Sequence, residues 1–258
     1  LDPDVPLKPS GVDWLGDVPA HWDVAALWTR YSVELGKMLD SKRITGRHLV
    51  PYLRNVDVQW DRVNTVDLPM MDIEPSEYDR YTLQDGDLLV CEGGEVGRSA
   101  FWDGSLPVCG FQKALHRLRA RNPARDEARF LYYLIRMIAK RGVFLSDGSE
   151  NTIAHLTNEK LRRYRMVCPP YKEQCDIAEY LDTETKRIDD AVRRIEREID
   201  LIREYRTRLI ADVVTGKLDV RGIELSEGDA AWDEDDELDE PDDGDETLDD
   251  AEGEGGFE

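Results

Sequence analysis

Four short stretches of this 258-residue chain hold side chains suited to one chemistry, the binding of a polyanion that also presents hydrogen-bonding edges. They are expected to be loops and turns: Lys42, Arg43, Arg47 and His48 in "SKRITGRH", Arg54 and Asn55 in "YLRN", Arg98 in a Gly-rich turn, and Gln112, Lys113, Arg117, Arg119 and Arg121 in "GFQKALHRLRARN". Ammonium and guanidinium groups neutralise phosphates, whereas amides and guanidinium forks match base edges. Residues 25–150 carry 18 basic and 18 acidic side chains. Any surface for such a polyanion must therefore arise by sorting charge in space, and the alternative for each candidate is an ordinary solvated surface position. Arg162, Arg163 and Arg165 form a further basic run, suited equally to a phosphate contact and to the solvent face of a short helix.

Signatures of catalysis are missing from the sequence. "EGGEVG" (92–97) is glycine-rich, but no Gly-Lys-Ser/Thr follows, so it reads as a tight turn and not as a phosphate loop. No Gly-rich strand-to-helix layout marks a cofactor site, and no nucleophile stands in a recognisable motif with His and Asp. The carboxylates are not patterned for metal-dependent cleavage. Cys91, Cys109, Cys168 and Cys175 include no Cys-x-x-Cys pair, which favours buried free thiols over a zinc site.

The net charge of −22 would by itself argue against DNA, but it is unevenly placed. Residues 225–258 hold 18 acidic residues and no Lys or Arg; the remaining 34 basic and 38 acidic residues leave residues 1–224 at −4. The tail has the composition of a disordered, solvating segment. A sharper alternative is that it competes with DNA for a basic face. No apolar run approaches the roughly 20 residues that span a bilayer, and the first residues lack a signal-peptide layout, so the expected location is cytoplasmic, with no membrane partner.

Residues 1–24 are Pro-rich, and Trp14 and Trp22 are expected to anchor an extended segment on a neighbouring surface. From 25 to about 150, "HLVPYLRNVDVQ" and "DLPMMDI" read as strands, and "GDLLVCEGGEVGRSAFWDG" as strand, turn, strand. "ARDEARFLYYLIRMIAKRGVF" spaces Phe130, Leu131, Leu134, Ile135 and Ile138 for one amphipathic helix. Thr157 suits an N-cap with Glu159 in the first turn, and "YRMVCPP" reads as a strand ended by Pro169 and Pro170.

Between Tyr171 and Gly216 there is neither Pro nor Gly. Apolar residues at Ile188, Val192, Ile195, Ile199, Ile202 and Leu209 make a seam with coiled-coil spacing, flanked by charge, on a helix of roughly 65 Å. Such a stripe needs a partner helix. The alternative is a helix lying along its own globular domain.

These stretches together resemble the specificity subunits of type I restriction-modification enzymes. "GVDWLGDVPAHWDVAAL" (11–27) resembles the opening of a target-recognition domain, and "GDLLVCEGGEVGRSAFW" its Gly-Asp-apolar strand and turn. "NTIAHLTNEKLRRYRMVCPPYKEQCDIAEYLD" is similar to the end of such a domain, its Pro-Pro and the Glu-Gln start of a spacer helix, while "LIADVVTGKLDVR" is similar to that helix's end. Family members usually carry two recognition domains and two spacer helices. With one of each and no internal repeat, this sequence resembles a half-length form. The resemblance implies an α/β (α+β) globular target-recognition domain (25–170) after a Pro/Trp-rich segment (1–24), then a coiled-coil spacer helix (171–215), its exit (216–224) and a disordered acidic tail (225–258). It further implies a non-catalytic subunit that reads half of a bipartite double-stranded DNA site. Its partners would be methyltransferase subunits, an ATP-dependent restriction subunit, and a second copy or another half-length specificity chain. S-adenosylmethionine, ATP and Mg would sit on those partners and no cofactor on this chain. The competing class is a non-enzymatic coiled-coil interaction protein, or a DNA-mimic antirestriction protein.

Overall fold

The computed structural model describes residues 4–39, 45–145 and 155–222. Lys42, Arg43 and the acidic tail lie outside the described residues. The chain divides into two compact units, Leu1–Asp190 and Ala191–Glu258.

In the first unit β1 (Leu7–Pro9) and β2 (Asp17–Pro19) pair antiparallel. The segment expected to stay extended is therefore a hairpin: Gly11 and Gly16 adopt positive φ, and Ser10 N–H donates to the Gly16 carbonyl to close the turn. Next come β3 (Asp23–Ala26), α1 (Leu27–Arg30) and β4 (Tyr31–Leu35), then β5 (Leu49–Leu53), β6 (Val58–Gln59), β7 (Arg62–Val63) and β8 (Met70–Asp72). A short α2 (Tyr78–Tyr81) precedes β9 (Leu88–Cys91), β10 (Ser99–Phe101), β11 (Gly110–Phe111) and β12 (Leu115–Ala120). The helix α3 (Ala128–Lys140), α4 (Asn158–Arg163), β13 (Arg165–Cys168) and α5 (Tyr171–Val214) complete the order.

The central sheet is antiparallel in the order β10-β9-β12-β4. Its inner strand β9 is buried on both faces. Leu88 and Val90 point into the cluster beneath α3, and Leu89 and Cys91 into a second cluster with Leu53, Trp102, Phe111 and Leu115. This division follows from the two-residue period of a strand. The helix α3 buries Phe130, Leu131, Tyr132, Leu134, Ile135 and Ile138, the face its sequence spacing marks, and Glu127 caps it by accepting from Arg129 N–H. A smaller sheet, β11-β5-β8, joins β5 to β11 in parallel and to β8 antiparallel.

Two further expectations are corrected. "HLVPYLRNVDVQ" is not one strand: a 3-10 turn at Asn55–Asp57 separates β5 from β6, because the Asp57 carboxylate takes the Arg54 backbone N–H (2.7 Å) and both arms of its guanidinium (2.9 and 2.8 Å). The stretch containing Arg117, Arg119 and His116 is not a loop but β12, at the centre of the sheet. Elsewhere the elements fall as expected. The turn at 92–97 joins β9 to β10, and Gly97 is required there, at φ +86°, because a Cβ would strike Ala139 and Phe144 at 2.8 Å. Thr157 caps α4, accepting from Lys160 N–H. Cys91, Cys109 and Cys168 are buried free thiols and Cys175 is half-buried; burial pushes Cys91 up to about 11 and Cys109 up to about 12.

Candidate nucleic-acid interface

One end of the central sheet gathers several of the candidate residues. Gly36 follows β4 and runs so close to the turn after β11 that an added Cβ would lie 2.2 Å from the Gln112 carbonyl oxygen. That contact permits a chain of backbone hydrogen bonds: Lys37 N–H to Phe111 O (2.9 Å), Lys113 N–H to Lys37 O (3.1 Å) and Gln112 N–H to Leu53 O (3.0 Å). On the other side, Glu92 N–H donates to Ala114 O and Leu156 N–H to Glu92 O. Lys37, Asn55, Arg98, Gln112, Lys113 and His155 therefore share one rim, fixed by main chain.

Their side chains differ in availability. Lys113 is exposed and has no ion pair with a described residue, and Gln112 is half-buried at its side. Arg98 donates to the Asn55 carbonyl (3.0 Å). The Asn55 amide nitrogen donates to Gly93 O (3.3 Å), and its Oδ1 is buried without a partner among the described residues, so Asn55 shapes the rim from within. Lys37 and His155 are rim residues that residue type alone did not single out. Lys37 is engaged by Glu77 (2.5 Å), and His155 packs over Gly93. The signal for Lys37 in the sequence is Gly36, whose small size the close approach demands.

Arg47 and His48 are brought to a different place. They sit at the start of β5, whereas the rim lies beyond its end at Leu53, roughly 13 Å along the strand. The turn that carries them is tied to Asp72, whose carboxylate accepts N–H groups from Thr45, Gly46 (2.8 Å) and His48 (2.8 Å). Those N–H groups, His48 first, hold the Asp72 carboxyl below its usual range. Arg47 and His48 are thus displayed outward from a fastened turn.

Of the other candidates, Arg54, Arg117 and Arg119 are absorbed by the fold, whereas the run at Arg162, Arg163 and Arg165 stays on the surface. Arg54 is held in a fork by Asp57. Arg117 is only 3% exposed, donates to the carbonyls of Asp79 (3.0 Å) and Thr82 (2.8 Å), and lies over Phe111; burial lowers its guanidinium from the usual range. Arg119 makes two 2.6 Å bonds to the buried Asp87. Arg121 donates to the Trp28 carbonyl, Arg163 pairs with Glu159, and Arg162 and Arg165 are exposed. Along α5 the expected seam is solvent-facing within the chain, from Ile188 at 62% exposed through Val192, Ile195 and Ile199 to Ile202 at 65% and Leu209.

The described residues thus hold a small mixed α/β domain with basic and amide groups at its sheet ends, and a charged 44-residue helix. The family model described as "Type I restriction modification DNA specificity domain" matches residues 33–200, and the chain belongs to that family. The type I restriction enzyme EcoBI specificity subunit of Escherichia coli is 34% identical over 73 residues, which is 28% of this chain and 15% of that one. A chain from a structure of the type I R-M system superposes with a TM-score of 0.56 at 22% identity, over 73% of this chain and 44% of its own. The HsdS subunit of Thermoanaerobacter tengcongensis superposes with a TM-score of 0.52 at 20% identity, over 71% and 41%. These two likenesses establish the shared fold. The chain spans less than half the length of each of these relatives. Among the described residues, no helix is long and apolar enough to cross a membrane.

Proposed function

We propose that this chain is a DNA sequence-recognition subunit of a type I restriction-modification complex. Residues 25–170 read one half of a bipartite site, and the helix over 171–215 acts as spacer and as docking surface for methyltransferase and ATP-dependent restriction subunits. The observation that carries this reading is a DNA-specificity family match that spans residues 33 to 200, through the domain and into α5. Within it, Lys113 and Gln112 at the rim and Arg47 and His48 on the Asp72-tied turn are the residues assigned to DNA among those described. Arg54, Arg98, Arg117 and Arg119 shape the domain instead. The exposed seam from Ile188 to Leu209 takes a second helix, from another copy or from another specificity chain. The chemistry, with S-adenosylmethionine, ATP and Mg, belongs to partner subunits, and the complex works in the cytoplasm.

Co-expression with a partner DNA methyltransferase subunit, followed by methylation of a randomised DNA pool and sequencing of the modified sites, tests the reading. The expected product is methylation confined to one bipartite sequence; modification without sequence dependence overturns it. In the same complex Ile195→Asp places an unpaired charge in the apolar seam and is expected to lower the oligomeric state measured by light scattering. An unchanged mass would show that the seam packs elsewhere.

A further inference from the structure

Side-chain hydrogen bonds fasten the start of α5 to the domain at two places, with Ile177 and Ala178 packed on the core between them. The first is Gln174, only 2% exposed, which uses all of its amide. Its Oε1 accepts the Glu127 N–H (2.9 Å), and its Nε2 donates to the carbonyls of Pro169 (2.8 Å) and Arg125 (3.2 Å). An amide alone among side chains of this length donates twice and accepts at once. The neighbouring Glu173 accepts from Trp22 Nε1 and contacts His21 Nε2, both at 2.8 Å, which ties the helix to the N-terminal hairpin. The second fastening is Asp182, which accepts from Arg129 Nε (2.7 Å) and the Tyr133 hydroxyl (2.5 Å). The Arg129 guanidinium is held in turn over the rings of Tyr132, Tyr133 and Phe101, at 5.0, 5.4 and 5.6 Å.

We infer that this double fastening is a specificity device: Gln174 and the Arg129–Asp182–Tyr133 cluster fix the direction in which α5 leaves the domain, and so the number of base pairs accepted between half-sites. The inference rests on the DNA reading proposed above. One attachment would let a helix pivot, whereas two, separated by eight residues or roughly 12 Å, define a direction. The consequence is large because a helix is a lever. A tilt of about 10° moves a point some 45 Å along any helix by about 8 Å, more than two base-pair steps of 3.4 Å. The second fastening is also costly to explain as stability alone, since Asp182 is 41% exposed and polar contacts at such sites add little. Gln174, Arg129 and Asp182 are accordingly positioning residues and touch no DNA.

The test uses the full chain in its complex with the methyltransferase subunit and a DNA library in which the recognised half-sites are separated by spacers of graded length. Wild type is expected to methylate one spacer length. Asp182→Ala should keep the half-site sequences yet lose about tenfold of the preference over spacers one base pair longer or shorter. Asp182→Asn, which retains an acceptor for both donors, should keep that preference. Gln174→Glu can accept but not donate, and should act like Asp182→Ala; thermal unfolding of each variant separates a loosened joint from a misfolded domain. An Asp182→Ala complex with the wild-type spacer preference overturns the inference, as does one that loses half-site discrimination to the same extent. Wild type that methylates without regard to sequence overturns the DNA reading itself, and the inference with it.

Discussion

The turn at Gln112–Ala114 and the strand that follows it carry the same kinds of side chain and put them to opposite uses. Lys113 stands exposed at the end of the sheet, while four residues on Arg117 is buried under the carbonyls of Asp79 and Thr82, and Arg119 is clamped by Asp87. His116 between them is fully enclosed. Its Nε2–H donates to the Leu156 carbonyl (2.6 Å), leaving Nδ1 as an acceptor without a partner among the described residues. A run of charge in one stretch of sequence is thus divided by the pleat and by position along the strand into a group free to meet a ligand and groups that hold the fold. Charge density in the sequence does not report charge density on the surface.

The sharpest break of this comparison is titration of His116. Burial pushes its imidazole down to about 4, so the folded state favours the neutral ring. Its contribution is therefore complete above the unfolded value near 6.5 and is lost as pH falls from there to about 4, a window worth about 3 kcal/mol. Urea denaturation at neutral pH and near pH 4.5 should show that loss in wild type and a shallower one in His116→Gln; equal slopes would mean that the strand interior is open to water. A somewhat smaller effect, about 2–3 kcal/mol, is expected for Arg119→Ala, which removes both Arg119 bonds from the buried Asp87 carboxylate and leaves it the Gln84 N–H and the nearby Arg117 charge. A change near zero would move Arg119 to the surface class.

Lys113→Ala and Arg47→Ala should do the reverse. Each is expected to weaken DNA binding by the complex by about 1 kcal/mol and to reduce the slope of log affinity against log salt by about 1, the signature of a phosphate contact. Stability of these two variants should stay within about 0.5 kcal/mol of wild type. Affinity and salt slope unchanged in Lys113→Ala would remove the rim from the DNA-facing surface and leave the Arg47 turn alone.

Much of the element order was legible because it depends on local pattern. The spacing from Phe130 to Ile138 gives α3, the glycines between Cys91 and Ser99 give the turn of a hairpin, and Thr157 gives the cap of α4. The two misread stretches share one cause. In β12 the alternation is real, but its polar positions are filled by Arg117 and Arg119, whose charges are satisfied by distant carbonyls and by Asp87. At Arg54 the strand is broken by a carboxylate three residues on. In the N-terminal segment the prolines suggested extension, while pairing across Gly11 and Gly16 made a hairpin. Within it the Trp14 ring lies against Tyr164 and Trp22 Nε1 donates to Glu173.

The sequence by itself determined the periodic elements, the free thiols, the uninterrupted α5 and the family resemblance, because each is written in residue types at short spacing. Tertiary structure alone decided which basic groups remain available. That choice depends on partners distant in the chain, such as Asp87 for Arg119, Asp72 for the turn bearing Arg47, and Gly36 for the rim at Gln112 and Lys113. The same holds for Glu173-Gln174 after the two prolines. Local pattern marks a helix start there, but only the fold brings Trp22, Arg125 and Glu127 to it and turns that start into a fixed joint.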